Sequence, residues 1–250
     1  MSGRAVLVTG SSRGIGRAVA SAFAASGDRV AVHHRDSPEA AAEARASLPG
    51  EGHTVVQADI GDPEAVRAAV DEAAEVLGGL DILVNNAAVF GECRIADVSY
   101  DEWQRHWRRL LDVNLLGVAN ATWCAVQHMR ARGGGRVVNV SSRGAFRGEP
   151  DNPPYGASKA GVNSLTGSLA QALAPYGIAV SAVAPGFVET DMTNAHLKAA
   201  RGDAIRAQSP FGRVARPDEI AAAVLYLASA EAEWASGAVL DVNGASYLRT

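Results

Sequence analysis

The sequence predicts a single α/β domain over residues 1–250, a doubly wound, Rossmann-like parallel sheet of about seven strands with helices on both faces. Three observations predict it. Short β-branched runs recur along the whole chain, longer Ala-rich stretches of helical period separate them, and no linker, repeat or low-complexity block interrupts the alternation. Brief apolar runs with little clean alternation suit strands buried on both faces. Strand–helix alternation then implies parallel strands joined by right-handed crossovers.

Strands are expected at Ala5–Val8, Val30–Val32, Thr54–Val56, Asp81–Val84, Arg136–Val140, Ile178–Val183 and Ala238–Val242. Helices are expected at 14–26, 38–48, 63–77, 99–132 (as two), 155–175 and 217–229. Ser37-Pro38, Asp62-Pro63 and Arg216-Pro217-Asp218 put proline at or near a first turn, where its missing N–H has no helical partner to lose. The stretch 186–216 shows neither period. Long irregular stretches inside compact domains are usually functional, so it is expected to form a substrate lid.

Composition narrows the function classes. The chain has 23 Lys and Arg against 27 Asp and Glu, a formal charge of −4, with 48% hydrophobic and 20% charged residues. This is globular usage, which excludes disorder and collagen-like order. The mild acidity argues against a nucleic-acid partner. The longest apolar run, Ile220–Ala228, has nine residues; a membrane span needs roughly 20. No charged-then-apolar leader precedes the first strand, so a cytoplasmic location is expected. Cys93 and Cys124 are too few for a disulfide framework or a cysteine-based zinc site, and no metal is expected.

The first strand runs straight into Thr9-Gly10-Ser11-Ser12-Arg13-Gly14-Ile15-Gly16 and then a helical pattern. A strand–turn–helix unit presents free backbone N–H groups and the positive helix end at the turn. Glycine lets that backbone approach a pyrophosphate closely. At the end of the second strand stands His33-His34-Arg35, with Asp36 one step later. An acid there would accept from a ribose 2′-OH, whereas cations would accept a 2′-phosphate. Arg35, Arg13 and the absence of an acid at position 34 favour NADP(H) over NAD(H). A shift of register would turn Asp36 into the 2′-OH acceptor, which keeps NAD(H) open.

Tyr155-Gly156-Ala157-Ser158-Lys159 places a phenol and an ammonium four residues apart, on one helix face. A neighbouring cation favours phenolate and is expected to lower the tyrosine pKa from near 10. Such a tyrosine can exchange a proton with a carbonyl or alcohol oxygen. Ser142 lies 13 residues earlier at a strand end, Ser141 competes with it, and Asn114 sits unusually inside a helical stretch.

The glycine spacing Thr-Gly-x3-Gly-x-Gly resembles the cofactor turn of the short-chain dehydrogenase/reductase family. The resemblance covers nearly the whole chain, including Ala58-Asp59-Ile60, Asn85-Asn86-Ala87-Ala88 and Pro185-Gly186-x3-Thr190. Ala88 stands where the family has glycine. The final strand, Val239-Leu240-Asp241-Val242-Asn243-Gly244, is similar to that of bacterial β-ketoacyl-(acyl carrier protein) reductases.

The resemblance implies Tyr155 as general acid/base, Ser142 on the substrate oxygen, Lys159 on the nicotinamide ribose and Asn114 ordering a water. It implies cofactor contacts from Gly10, Ser12, Arg13, Gly14, Ile15, Gly16, His34, Arg35, Asp59, Ile60, Asn86, Ala87, Tyr155, Lys159, Pro185, Gly186, Val188 and Thr190. Asp59 would accept from the adenine amino group; a helix-capping role is the competing reading. The family also implies a homotetramer or homodimer.

The expected activity is NADPH-dependent reduction of a small or carrier-bound ketone, such as a 3-oxoacyl thioester. An NAD(P)+-dependent alcohol, sugar or steroid dehydrogenase is the alternative, and a non-catalytic nucleotide-binding module the remote one. Met192, His196, Leu197 and Phe211 are candidate lid residues over the substrate. Arg143 and Arg147 either favour an anionic or carrier-bound substrate or stand as exposed loop arginines. Trp103 and Trp107 read as a core or interface stripe.

Overall fold

The computed structural model describes residues 3–198 and 202–249. Seven parallel strands form one sheet in the order β3-β2-β1-β4-β5-β6-β7. They are β1 (Ala5–Val8), β2 (Arg29–His34), β3 (Thr54–Gln57), β4 (Ile82–Asn85), β5 (Gly135–Val140), β6 (Ile178–Pro185) and β7 (Val239–Val242). Every expected strand is present. In register, Val6 faces Val30 on one side and Ile82 on the other. The strand order reverses between β1 and β4, and such switch points leave a crevice at the carboxyl ends of the strands.

The helices are α1 (Gly14–Ala25), α2 (Pro38–Ala46), α3 (Pro63–Leu77), α4 (Tyr100–Leu111), α5 (Gly117–Ala131), α6 (Gly144–Arg147), α7 (Pro153–Leu173), α8 (Asp191–Lys198), α9 (Gly202–Arg206) and α10 (Pro217–Leu227). Alternate strand residues face opposite ways. Leu7, Leu83, Val137 and Val180 therefore bury against α3, α5 and α7. Val6, Val8, Ile82, Val84, Val138 and Val183 bury against α1, α2 and α10. No helix among the described residues is long and apolar enough to cross a membrane.

The stretch 99–132 forms the two expected helices, and α4 runs into α5 through a π-helical turn at Asp112–Leu116. Two expectations are corrected. The catalytic-motif helix starts at Pro153 rather than Tyr155, since the fixed φ of Pro153 and Pro154 suits a first turn and Asn152 caps it. The stretch 186–216 is not irregular throughout, for it carries α8 and α9.

Two buried polar devices hold the strand ends in place. In the first, Asn85 Nδ2 donates to Thr122 Oγ1 at 3.0 Å and to Asn139 Oδ1 at 2.9 Å. Asn139 Nδ2 donates in turn to Thr166 Oγ1 at 2.9 Å, and both threonines donate back to their own helix carbonyls. The ladder ties α5, β4, β5 and α7 together with its polar atoms paired, as buried polar groups require. In the second, His33 is clamped between two backbones. Its Nδ1 accepts from the Gly10 N–H at 2.9 Å, so Nε2 carries the proton and donates to the Ala58 carbonyl at 3.1 Å.

Asn139→Leu fills the volume but leaves an Asn85 N–H without its acceptor. It should lower the unfolding free energy by on the order of 2 kcal/mol; a urea titration indistinguishable from wild type would refute the ladder's role. The His33 clamp needs a neutral ring, and burial pushes its pKa from 6.5 down to about 4. With the folded pKa depressed, the stabilisation is complete above 6.5 and is lost as pH falls toward 4. The loss is on the order of 3 kcal/mol. Urea midpoints should fall more steeply with acidification in wild type than in His33→Asn, and parallel curves would exclude the clamp.

Candidate active site

One cleft of about 310 Å³ opens at the carboxyl ends of the strands, across the β1/β4 switch point. Every site residue expected from the sequence lines it except Gly16 and Asn114. Both of these act from behind the wall. A Cβ on Gly16 would stand 2.4 Å from the Gly10 carbonyl oxygen and 2.5 Å from Asn86 Nδ2, so only glycine lets α1 start here. Asn114 lies in the π turn, where Oδ1 accepts from the Val89 N–H at 2.8 Å and Nδ2 donates to the Val89 carbonyl at 3.0 Å. π turns recur at functional positions.

The glycine-rich turn is fixed by side chains from β4. Gly10 sits at φ +64°, a region glycine enters without strain. Thr9 Oγ1 accepts from the Asn86 and Ala87 N–H groups, and Asn86 Nδ2 donates to the Thr9 and Gly10 carbonyls. Asn86 thus builds the turn. Ala88 is not in the left-handed region, so replacing the family glycine strains nothing. No side chain caps the start of α1, and no acid occupies its first turn. Its free N–H groups and positive end therefore face the cleft, which fits the pyrophosphate of a dinucleotide.

Two Arg–Asp pairs line the end of that cleft beside β2 and β3. Arg35 binds Asp36 at 2.6 Å, which holds the Asp36 carboxyl below its usual range. Arg109, from α4, binds Asp59 at 3.0 Å. Burial works against ionisation of Asp59, but the Gly61 amide and the Arg109 guanidinium prevail and hold its carboxyl low. The helix-capping reading of Asp59 is overturned, since Asp62 caps α3 by accepting from Glu64 and Ala65. His34 is buried, and its Nδ1 accepts from the Ser37 N–H at 3.2 Å. Arg13 is exposed, with no hydrogen bond or ion pair to its side chain among the described residues.

At the other end stand the hydroxyls and the lysine. Lys159 is buried, and its Nζ donates to the Val140 carbonyl at 2.8 Å. It lies 5.9 Å from the Tyr155 ring centroid, and Phe90 packs edge-on against the same ring at 4.9 Å. Burial pushes the lysine down to about 8 and the phenol up to about 12, with the Ser142 hydroxyl opposing the latter. The expected lowering of the tyrosine pKa is therefore reversed, because desolvation outweighs the Ser142 hydrogen bond. Ser141 also lines the cleft, but it is buried and its hydroxyl donates to the Lys159 carbonyl at 3.3 Å. Ser142 remains in the cleft, its Oγ accepting from the Gly144 N–H.

The stretch after β6 lines the cleft beside these groups. Val188 and Ala215 form an isolated parallel bridge that pins the base of the loop. Thr190 packs where a Cβ on Gly14 would sit 3.4 Å from its methyl. Phe211 is 76% exposed and does not line the cleft, contrary to expectation, whereas Leu197 is buried. The side chains of Met192 and His196 lie outside the described ones. Arg143 is buried rather than exposed. Trp103 and Trp107 stack at 5.6 Å, only partly buried, so they are not core.

The sequence reading missed Arg109 and Val113, which line the cleft beside Asp59. Their four-residue spacing on one helix face was the available signal. The cleft, the uncapped helix start, the unpaired Arg13 and the Tyr155–Lys159 pair together fit a nicotinamide dinucleotide.

Known proteins bear this out. A family model described as enoyl-(acyl carrier protein) reductase matches residues 10–245. The chain is 36% identical to a 3-oxoacyl-(acyl carrier protein) reductase of Vibrio cholerae, covering 99% of each chain. It is 39% identical to a cis-4-hydroxycyclohexanecarboxylate dehydrogenase of Sinomonas cyclohexanicum, covering 96% of this chain and 95% of that one. A short-chain dehydrogenase from Burkholderia cenocepacia, solved in complex with NADP, superimposes with a TM-score of 0.87 at 37% identity over 97% of each chain. The chain belongs to the short-chain dehydrogenase/reductase family of NAD(P)-dependent oxidoreductases.

Proposed function

We propose that this protein reduces a ketone to an alcohol with NADPH, Tyr155 being the general acid, and that a 3-oxoacyl thioester is the substrate class. The observation that carries the reading is the placement of Tyr155, Ser142 and Lys159 together in the cleft, with the Lys159 ammonium 5.9 Å from the Tyr155 ring centroid. The Vibrio cholerae relative's name supports the substrate class. The NADP-bound relative, the unpaired Arg13 and Arg35 at the end of β2 support NADPH.

Bound nicotinamide supplies the hydride, and this chain supplies orientation and the proton. The first turn of α1 holds the pyrophosphate, Arg13 and Arg35 take the 2′-phosphate, and Asp59 and Ile60 border the adenine. His34, buried beside them, shapes that wall. Pro185, Gly186, Val188 and Thr190 hold the nicotinamide end, and the Lys159 ammonium holds its ribose. Ser142 Oγ donates to the substrate carbonyl oxygen, and the Tyr155 hydroxyl donates from the other side. As charge develops on that oxygen, the two hydrogen bonds strengthen, and the phenolic proton passes to it. Asn114 fixes Val89 and orders water toward Lys159, which replaces the proton. Residues 186–216 cover the substrate and exclude water.

The Sinomonas cyclohexanicum relative favours a second reading, the same chemistry run as oxidation of a cyclic secondary alcohol. Exposed Leu116, at the end of the π turn, and exposed Trp123 on α5 support pairing of that helix with a second copy in a homotetramer or homodimer. The buried free thiols of Cys93 and Cys124 support a cytoplasmic location.

Tyr155→Phe removes the donated proton and, of the expected dinucleotide contacts, only that of its own hydroxyl. It should bind NADPH as wild type does and lose turnover by about a hundredfold or more. Titration of NADPH fluorescence and steady-state rates with a 3-oxoacyl thioester measure both. Wild-type-like turnover in this variant would sink the assignment.

A further inference from the structure

Arg143 follows Ser142 in the chain and is only 3% exposed. Its guanidinium has a fixed set of neutral partners. Nη1 donates to Ser246 Oγ and Nη2 to Gln208 Oε1, each at 2.5 Å. The guanidinium carbon lies 5.1 Å from the Phe187 ring centroid, and the Arg143 N–H donates to the Pro185 carbonyl at 2.9 Å. No carboxylate ion-pairs with it among the described residues; Glu149, the nearest candidate, pairs with Arg147 at 3.5 Å. Burial, reinforced by the Arg147 charge, pulls its pKa down to about 10, so it remains a cation at neutral pH.

A buried cation without a counter-ion is costly, and a well-packed apolar side chain would hold a loop more cheaply. What an apolar side chain lacks is the planar fork, which engages two acceptors in fixed directions while its face stacks on an aromatic ring. Here the fork joins three chain segments. Phe187 and Gln208 belong to the stretch that covers the substrate side, before α8 and after α9, Ser246 to the turn after β7, and Arg143 to the loop between β5 and α6. Ser209 Oγ donates to the Gly244 carbonyl at 2.7 Å and extends the same junction.

We infer that Arg143 is a positioning residue for the carbonyl substrate: it bolts the 186–216 stretch and the turn after β7 to the strand end that carries Ser142. The inference rests on the reading of Ser142 as the residue that meets the substrate oxygen. Arg143 does not line the cleft, so it acts through Ser142 and the substrate-side wall and touches neither substrate nor dinucleotide.

The test separates carbonyl from dinucleotide. Arg143→Met should bind NADPH as the wild type does, yet lose about tenfold or more in kcat/KM for whichever ketone the wild type reduces, chiefly through KM. Arg143→Lys should not rescue, because one ammonium cannot fork or stack. Gln208→Ala should lose part of the same activity and add nothing on the Arg143→Met background. Wild-type carbonyl kinetics in Arg143→Met, an equal loss of NADPH affinity, or additive losses in the double variant would each overturn the inference. Should Arg143→Met not fold, Gln208→Ala and Ser246→Ala carry the test, and an unchanged carbonyl KM in both overturns it. Tyr155→Phe run alongside distinguishes the failures. An inactive Tyr155→Phe beside a wild-type-like Arg143→Met removes only this inference, whereas an active Tyr155→Phe removes the function it rests on.

Discussion

A buried lysine ammonium and a half-buried tyrosine phenol beside it each prefer their neutral forms, and this fold must work against that preference at one end of β5. The Lys159 ammonium meets the Val140 carbonyl, which partly replaces lost water. Burial takes its pKa down to about 8, which leaves it mostly charged at neutral pH. The same burial takes the phenol up to about 12 and keeps its proton in place. A proton donor beside a cation is what reduction of a carbonyl asks for. The rest of the site follows from holding these groups still. The π turn lets Asn114 brace Val89, Ser141 secures the Lys159 backbone, and the Asn85–Asn139 ladder seats α7 on the sheet.

The opposite end of the cleft is governed by balanced charge. Asp36 and Asp59 each neutralise an arginine before any dinucleotide arrives. Exposed pairs of this kind are weak and exchange partners readily. On the proposed reading a 2′-phosphate would draw Arg35 away from Asp36, and Arg13 has no competing partner among the described residues. Such an end would bind a phosphate without carrying a large unpaired charge when empty.

Most of the architecture was legible because it is written in local pattern. The seven apolar runs became the seven strands, and the Gly10–Gly16 turn lies where a strand meets a helix. Tyr155, Lys159 and Ser142 converge because a helix turn and a strand end fix their spacing. What escaped the sequence depends on tertiary partners. His33 looked like one of three polar residues at a strand end, yet its neighbours on β1 and β3 make it a clamp. Arg143 looked like a surface cation until Gln208 and Ser246, far along the chain, closed over it. The tyrosine pKa went the wrong way for the same reason, since burial is a property of the fold and not of a four-residue spacing.

The most direct measurement is the loss of NADPH absorbance against a short-chain 3-oxoacyl thioester, with NADH in parallel and the acyl product identified. The expected result is oxidation of NADPH in preference to NADH, with one 3-hydroxyacyl thioester formed per NADPH consumed. NADPH that binds in the cleft yet is never oxidised, with this thioester or any panel of ketones, would contradict the assignment of a reductase.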